Sequence, residues 1–422
     1  MEAARPLATL DPAAPLDDLS WLDAVVGDAR VVAIGESSHY NRELLQLRHR
    51  VVRHLVERHG FGAFGMETGH VEGWQVDAWV HGGDGRIGDV LANGITSLMG
   101  LWTETRALVE WLRAHPVGFT GIDLSGSNVS LLPALDAVTA YLGQAEPEHT
   151  VDPALRTTAA VFSAPSAFAI PAAFAGYAGL PAPDRDALTA GLADLQARVT
   201  ARRAPYVRAT GAAAYERALR AAQLLCTLDA LFRDLARGDT ATMALHRDVA
   251  MADTVEAMLR GGQRVVLAAH NGHVQRIPAT LPGIGDVAGL GTHLADRLGA
   301  DYVVVGTTTG SGRMLYPGEE FYAGTLFTDL PAPEPGTLDA LMAASHDGPF
   351  AVDLHRLPPA DLAAIRATKG HRHGPFLLEQ DPTAAFDALV HLPLVGEATV
   401  DREALAASPP DVQEAFGKWL SR

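Results

Sequence analysis

Glu36, Ser37, Ser38 and His39 stand together in VVAIGESSHY, residues 31–40. The apolar run before them reads as a buried strand that stops at Gly35, so four functional side chains sit at a strand end. Glu36 and His39 are three residues apart. A carboxylate bonded to one imidazole nitrogen fixes the tautomer and raises the basicity of the other, which is how a general base is made. Backbone N–H groups of the helix expected next would lie near the same point, where they could hold an anion or a developing oxyanion. Ser37 and Ser38 read as caps of that helix. A serine nucleophile is disfavoured because the Gly-x-Ser-x-Gly turn that exposes one is missing.

Three further stretches carry chemistry. Arg48 falls in the middle of an apolar arc formed by Leu44, Leu47, Val51, Val52 and Leu55. A guanidinium there is costly unless a carboxylate meets it. Glu67, ending a second apolar run in FGMETG, is the expected partner, with Glu36 second. His270 and His273 follow a third run in AAHNGHV. Their spacing is not the i, i+4 of a helical zinc motif. Glu36, His39, Glu67, His270 and His273 could still assemble an N/O metal site, so acid–base and metal readings both stay open. His49, His54, His59, His371 and His373 lie on polar stretches and read as solvated or structural.

The elements that must position these residues follow from periodicity. Strands are expected at 31–35, within 59–68 ending at Glu67 after a turn, and in 117–126, 263–274 and 301–310, with later ones in 348–354 and 385–393. Helices are expected at 17–27, 40–58, 71–80 and 103–115. Strand–helix alternation predicts an α/β fold with a mostly parallel central sheet, flanking helices and an inserted helical subdomain over the cleft. The expected parts are residues 1–130 for the first part of the α/β core, 131–260 for the alanine- and leucine-rich helical insertion or lid, and 261–422 for the second part of the core. One echo stands out: RVVAIGESSH and RVVLAAHNGH both open a strand that ends in a polar turn with a histidine. Ligands of open α/β sheets bind at the carboxyl ends of strands. The echo therefore predicts that His39, His270 and His273 face one cleft.

Composition limits the classes. The 422 residues carry a formal net charge of −17, which disfavours nucleic acid and anionic membrane surfaces as partners. A small-molecule substrate is expected, with the oligomeric state open. Cys226 is the one cysteine. It excludes an intrachain disulfide and a thiolate metal cluster, and its apolar helical setting reads as core. The acidic N-terminus lacks a signal-peptide pattern, and no run reaches the ~18 apolar residues of a membrane helix, so a cytoplasmic protein is expected.

GESSH, Arg48 nine residues on, FGMETG and AAHNGHV together resemble the signature of the erythromycin esterase family, in order and in gaps. LHRDVAMADTV at 245–255 is similar to an Arg/Met-containing helix of that family. The resemblance spans residues 31 to 310. It implies an α/β fold with a helical subdomain over a deep cleft. It also implies hydrolysis of a macrolide lactone ester by water, without covalent intermediate, metal or other cofactor. On the matching positions His39 would be the general base, with Glu36 and Glu67 orienting or tuning it. Arg48, His270 and His273 would hold the substrate or polarise its carbonyl. Two alternatives share these residues: a natural-product tailoring enzyme that eliminates, transfers an acyl group or cyclises, and a non-catalytic metal- or haem-binding relative.

Overall fold

The structure is a computed structural model and describes residues 3–281, 285–316, 318–374 and 376–421. Among them nine strands form the main sheet: β1 (Arg5–Pro6), β2 (Val31–Glu36), β3 (Ala63–Gly69), β4 (Gly118–Asp123), β5 (Val265–His270), β6 (Tyr302–Leu315), β7 (Phe327–Leu330), β8 (Phe350–Asp353) and β9 (Ala388–Val395). Their spatial order is β1-β8-β9-β6-β2-β5-β3-β4, with β7 on β6. The six strands from β9 to β4 run parallel. Strands β1, β7 and β8 join antiparallel. The mostly parallel sheet expected from the sequence is present.

Both faces of the sheet are covered, which is why its strands read as near-continuous apolar runs. Val32 and Ile34 of β2 pack into one core with Val51 and Val52, while Val31 and Ala33 pack into the other with Leu290 and Met251. The echoed segments are neighbours in register: Val31 pairs with Val265 and Glu36 with His270. Gly35 is required there. A Cβ at this position would meet Asn271 Oδ1 at 2.1 Å, and that side chain ties β5 to Thr307 of β6.

Three helices follow the first strands: α1 (Arg42–His59), α2 (His70–Val80) and α3 (Thr103–Ala114). Helix α1 begins at Arg42, later than its periodicity suggests, because residues 37–40 form a turn with Tyr40 at φ 63°. Ser37 and Ser38 therefore do not cap α1; Asn41 stands at that position. The first turn is engaged elsewhere as well, with Arg42 N–H donating to Gly396 O at 3.0 Å.

Between β4 and β5 the chain is helical from Leu132 to Leu259 and has its own core, including Leu135, Leu188, Leu225 and Phe232. The last two of these helices are α4 (Ala212–Ala236) and α5 (Thr240–Leu259). Helix α5 crosses between cores. Ala250 packs with the helices, whereas Met251, Ala252 and Val255 pack on the sheet. No single helix among the described residues is long and apolar enough to cross a membrane.

Candidate active site

Four adjacent parallel strands end at one edge of the sheet, and each delivers a polar side chain there. Strand β2 brings Glu36, β5 His270, β3 Glu67 and β4 Asp123. His39 sits in the turn after β2, with its ring centroid 5.1 Å from that of His270. Arg48 points inward from α1, and His273 lies in the short helix after β5. The fold thus gathers all six residues singled out in the sequence.

Glu36 Oε1 and His39 Nδ1 are 2.6 Å apart, and the His39 ring is partly exposed. Nδ1 donates to the carboxylate, which leaves Nε2 as the ring nitrogen able to accept a proton. Burial opposes charge on His39, but the Glu36 hydrogen bond and negative charge raise its pKa above the ordinary imidazole value. Burial likewise opposes charge on Glu36, yet Arg48 and His39 hold its carboxyl below the usual range. Arg48 Nη1 lies 3.8 Å from Glu36 Oε2, an ion-pair rather than a hydrogen-bond distance. The first-choice partner read from the sequence, Glu67, is therefore corrected to Glu36.

Glu67 is committed to a different arginine. Arg247 of α5 places Nη2 2.8 Å from Glu67 Oε1 and grips Asp123 through Nε and Nη2 at 2.9 and 2.7 Å. Glu67 Oε2 accepts the His270 backbone N–H at 2.8 Å. His273 is pinned on both ring nitrogens: Nδ1 is 2.7 Å from Asp248 Oδ1 and Nε2 is 3.3 Å from Glu67 Oε1. Burial opposes its charge, but Asp248 and Glu67 prevail and lift its pKa to about 10. Arg247 Nη1 also lies 3.1 Å from His273 Nε2, so His273 belongs to the charged network and has no ring nitrogen free for a substrate.

His270 is the opposite case. Burial and then the neighbouring His39 push its pKa down to about 3, so it is neutral. Its Nδ1 accepts the Gly272 N–H at 3.2 Å, which places the ring proton on Nε2 as a donor.

A two-stranded ribbon, His371–His373 paired with Phe376–Leu378, closes this region. Gly374 N–H donates to Ser37 O at 2.8 Å, tying the ribbon to the turn that carries His39. His373 packs against His270 with centroids 5.5 Å apart and has Nε2 2.6 Å from His371 Nε2. Both ribbon histidines are buried, and burial pushes His371 down to about 4. The solvated alternative for them is wrong. Their polar neighbours in KGHRHG mark a ribbon laid over the site.

Asp123, Arg247, Asp248, His371 and His373 were not singled out as site residues in the sequence. The strand-end rule already applied to Glu36, Glu67 and His270 finds Asp123 when extended to β4. Arg247 and Asp248 adjoin in LHRDVAM, but only the packing of α5 against both cores turns them inward. Among the described residues, a set of three donor atoms with metal-ligand spacing occurs at Asp23 and at His54 and His59 of α1, not at the strand ends. Both imidazole Nε2 atoms there already meet Asp23 Oδ1, at 2.8 and 2.7 Å, in a closed hydrogen-bonded cluster.

The family model described as "Erythromycin esterase" matches residues 56–395. An Escherichia coli protein named erythromycin esterase type II is 30% identical over 320 residues, covering 71% of this chain and 74% of that protein. Erythromycin esterase type I of Escherichia coli is 26% identical over 300 residues, covering 67% and 71%. Among solved structures, an erythromycin esterase mutant, EreC in its open conformation, superposes with TM-score 0.77 at 19% identity, covering 94% of this chain and 98% of that one. A succinoglycan biosynthesis protein superposes with TM-score 0.75 at 19% identity, covering 95% and 96%.

Proposed function

The chain belongs to the erythromycin esterase family, and from that premise we propose that it hydrolyses an ester or lactone of a macrolide-like or other natural product. His39 is the general base in this reading. The observation that carries it is the Glu36–His39 pair, with its outer nitrogen free among the described residues, beside a neutral imidazole donor. Water attacks the carbonyl carbon while its proton passes to His39 Nε2. The developing oxyanion takes a hydrogen bond from His270 Nε2–H. Collapse of the tetrahedral intermediate breaks the C–O bond, and the leaving alkoxide takes the proton back from His39. The products are an acid and an alcohol, and no covalent enzyme intermediate forms. Arg48 keeps Glu36 ionised from beneath and does not touch the substrate. Arg247, Asp123, Asp248 and His273 are positioning residues that fix Glu67 and, through its bond to the His270 backbone, His270 itself.

No metal is required in this mechanism. Mass spectrometry of candidate macrolactones and esters incubated with the protein is expected to show lactone products heavier by one water, in the presence and absence of a chelator. A product lighter by one water would assign elimination instead. Zinc or manganese bound at one per chain, and lost together with activity, would overturn metal independence.

The pH profile tests the base. His39 must be neutral to accept a proton, so kcat/KM should fall as pH drops through a pKa above the ordinary value near 6.5. In Glu36→Gln the carboxylate that raises this pKa is gone. The acidic limb should then move to lower pH while the plateau falls. A limb that stays in place would show that another group titrates.

A further inference from the structure

We propose that Tyr40 is a positioning residue for His39: its hydroxyl and ring hold the turn that carries the base in a left-handed backbone conformation, which a residue with a Cβ does not keep unaided. The inference rests on His39 as the base for its effect on turnover, but not for its geometry. Among the described residues, five other than glycine have φ in the left-handed region: Tyr40 at 63°, Ser97 at 55°, Leu98 at 62°, Ser127 at 52° and Asn128 at 65°. Such angles crowd the Cβ against the backbone and are uncommon outside glycine and short polar residues. These five residues lie in three turns bonded in series, and the series begins beside His39. The Tyr40 hydroxyl donates to Ser97 O at 2.5 Å. Ser97 N–H donates to Ser127 Oγ at 3.1 Å. Asn128 Nδ2 donates at 3.2 Å to Asp123 Oδ2, the carboxylate oxygen that Arg247 also holds. Strained backbone persists only where the surrounding structure over-determines it, and it gathers at functional sites.

Tyr40 is the member of this series with the most to overcome. Asparagine in a left-handed angle can bond its own backbone, but a tyrosine ring cannot. Contacts remote in sequence hold it instead. Its hydroxyl is bonded to Ser97, and its ring stacks on Trp102 with centroids 5.4 Å apart and planes at 30°. Its carbonyl accepts the Ala398 N–H at 2.9 Å, and Arg42, two residues on, is bonded to Gly396. The chain after Tyr40 is therefore fixed. If φ of Tyr40 returned to negative values, the part of the turn before it would swing, and that part is His39. The 2.6 Å bond from His39 Nδ1 to Glu36 would then lengthen. The ring and hydroxyl of Tyr40 thus do for this turn what the freedom of a glycine would otherwise allow.

The test uses the full chain and three variants. Tyr40→Phe keeps the ring and loses the hydroxyl. Tyr40→Gly loses every side-chain anchor but accepts the left-handed angle, whereas Tyr40→Ala loses the anchors and keeps the Cβ. With p-nitrophenyl acetate, kcat should fall ~10²-fold in Tyr40→Ala with KM little changed, and stand about tenfold higher in Tyr40→Gly than in Tyr40→Ala. Tyr40→Phe should lie between Tyr40→Gly and the wild type. Glycine above alanine is the deciding order, because a side chain that merely fills core volume gives the reverse. A second readout needs no turnover: the pKa of His39, followed by NMR on isotope-labelled histidine, its resonance identified by loss in His39→Ala. The titratable neighbours of the ring are Glu36, Glu67, His270 and His273, and the variants alter none of them. The pKa should drop towards the ordinary 6.5 as the Glu36 bond loosens, least in Tyr40→Phe and most in Tyr40→Ala. That order supports the proposal even if no ester is hydrolysed. A His39 pKa equal in Tyr40→Gly and Tyr40→Ala, or a kcat for Tyr40→Ala that matches or exceeds that of Tyr40→Gly, overturns it. If Tyr40→Ala does not fold, Tyr40→Phe decides: a lowered His39 pKa supports the proposal and an unchanged one overturns it.

Discussion

His39→Ala should lower turnover by ~10²–10⁴ and leave the fold intact. The ring is partly exposed, belongs to none of the apolar cores, and meets Tyr40 and His270 only through tilted ring contacts. Its main attachment is the Glu36 hydrogen bond, and Glu36 keeps Arg48 when that bond is lost. The folded-state pKa of His39 is raised, so its charge stabilises the fold below the unfolded pKa, and that contribution fades as pH rises through the folded pKa. Thermal melts at a pH above the raised folded-state pKa therefore compare the two proteins with this contribution diminished. Similar melting temperatures beside a collapsed turnover are the expected pair of results. A variant that unfolds, or one that keeps full activity, would make His39 a structural histidine.

Arg247→Ala should behave differently, with stability and activity falling together. The guanidinium holds two carboxylates, Asp123 and Glu67, which are 3% and 5% exposed. Removing one partner of a buried ion pair costs roughly 3–5 kcal/mol because the other charge stays buried. The low end applies here. Arg247 is a quarter exposed, Asp123 keeps the Leu124 N–H, and Glu67 keeps the His270 N–H and His273. Activity should fall because Glu67 anchors the His270 backbone, so its displacement would move His270, the donor proposed for the oxyanion. Arg247→Lys should not restore the wild type, since a single ammonium does not reproduce the forked grip on two carboxylates. Melting temperature and kcat/KM measured on the same preparations decide the matter. Loss of activity with an unchanged melt would show that solvent compensates the two carboxylates.

What the sequence determined by itself was the set of elements and the chemistry at their ends. Period-2 and period-3.6 patterns are local, and they placed β2, β3, β4, β5 and α1 within a few residues. The Glu36–His39 pair was legible because three residues across one tight turn leave few alternatives. The Arg-Val-Val echo was legible because adjacent parallel strands of equal length put equivalent positions side by side. The tertiary structure alone decided which cation meets which carboxylate. Arg48 was readable as a buried charge, but its partner depends on how α1 lies across β2 and β3, and it proved to be Glu36. Glu67 went to Arg247, 180 positions away, because α5 leaves the helical core and ends on the sheet. His273 was tied into the charged network, and His270 left as a neutral donor, because these roles follow from neighbours brought in by several elements. The ribbon histidines were missed for the same reason: a short polar hairpin carries no mark of what it covers, and only its tether to Ser37 lays His373 against His270.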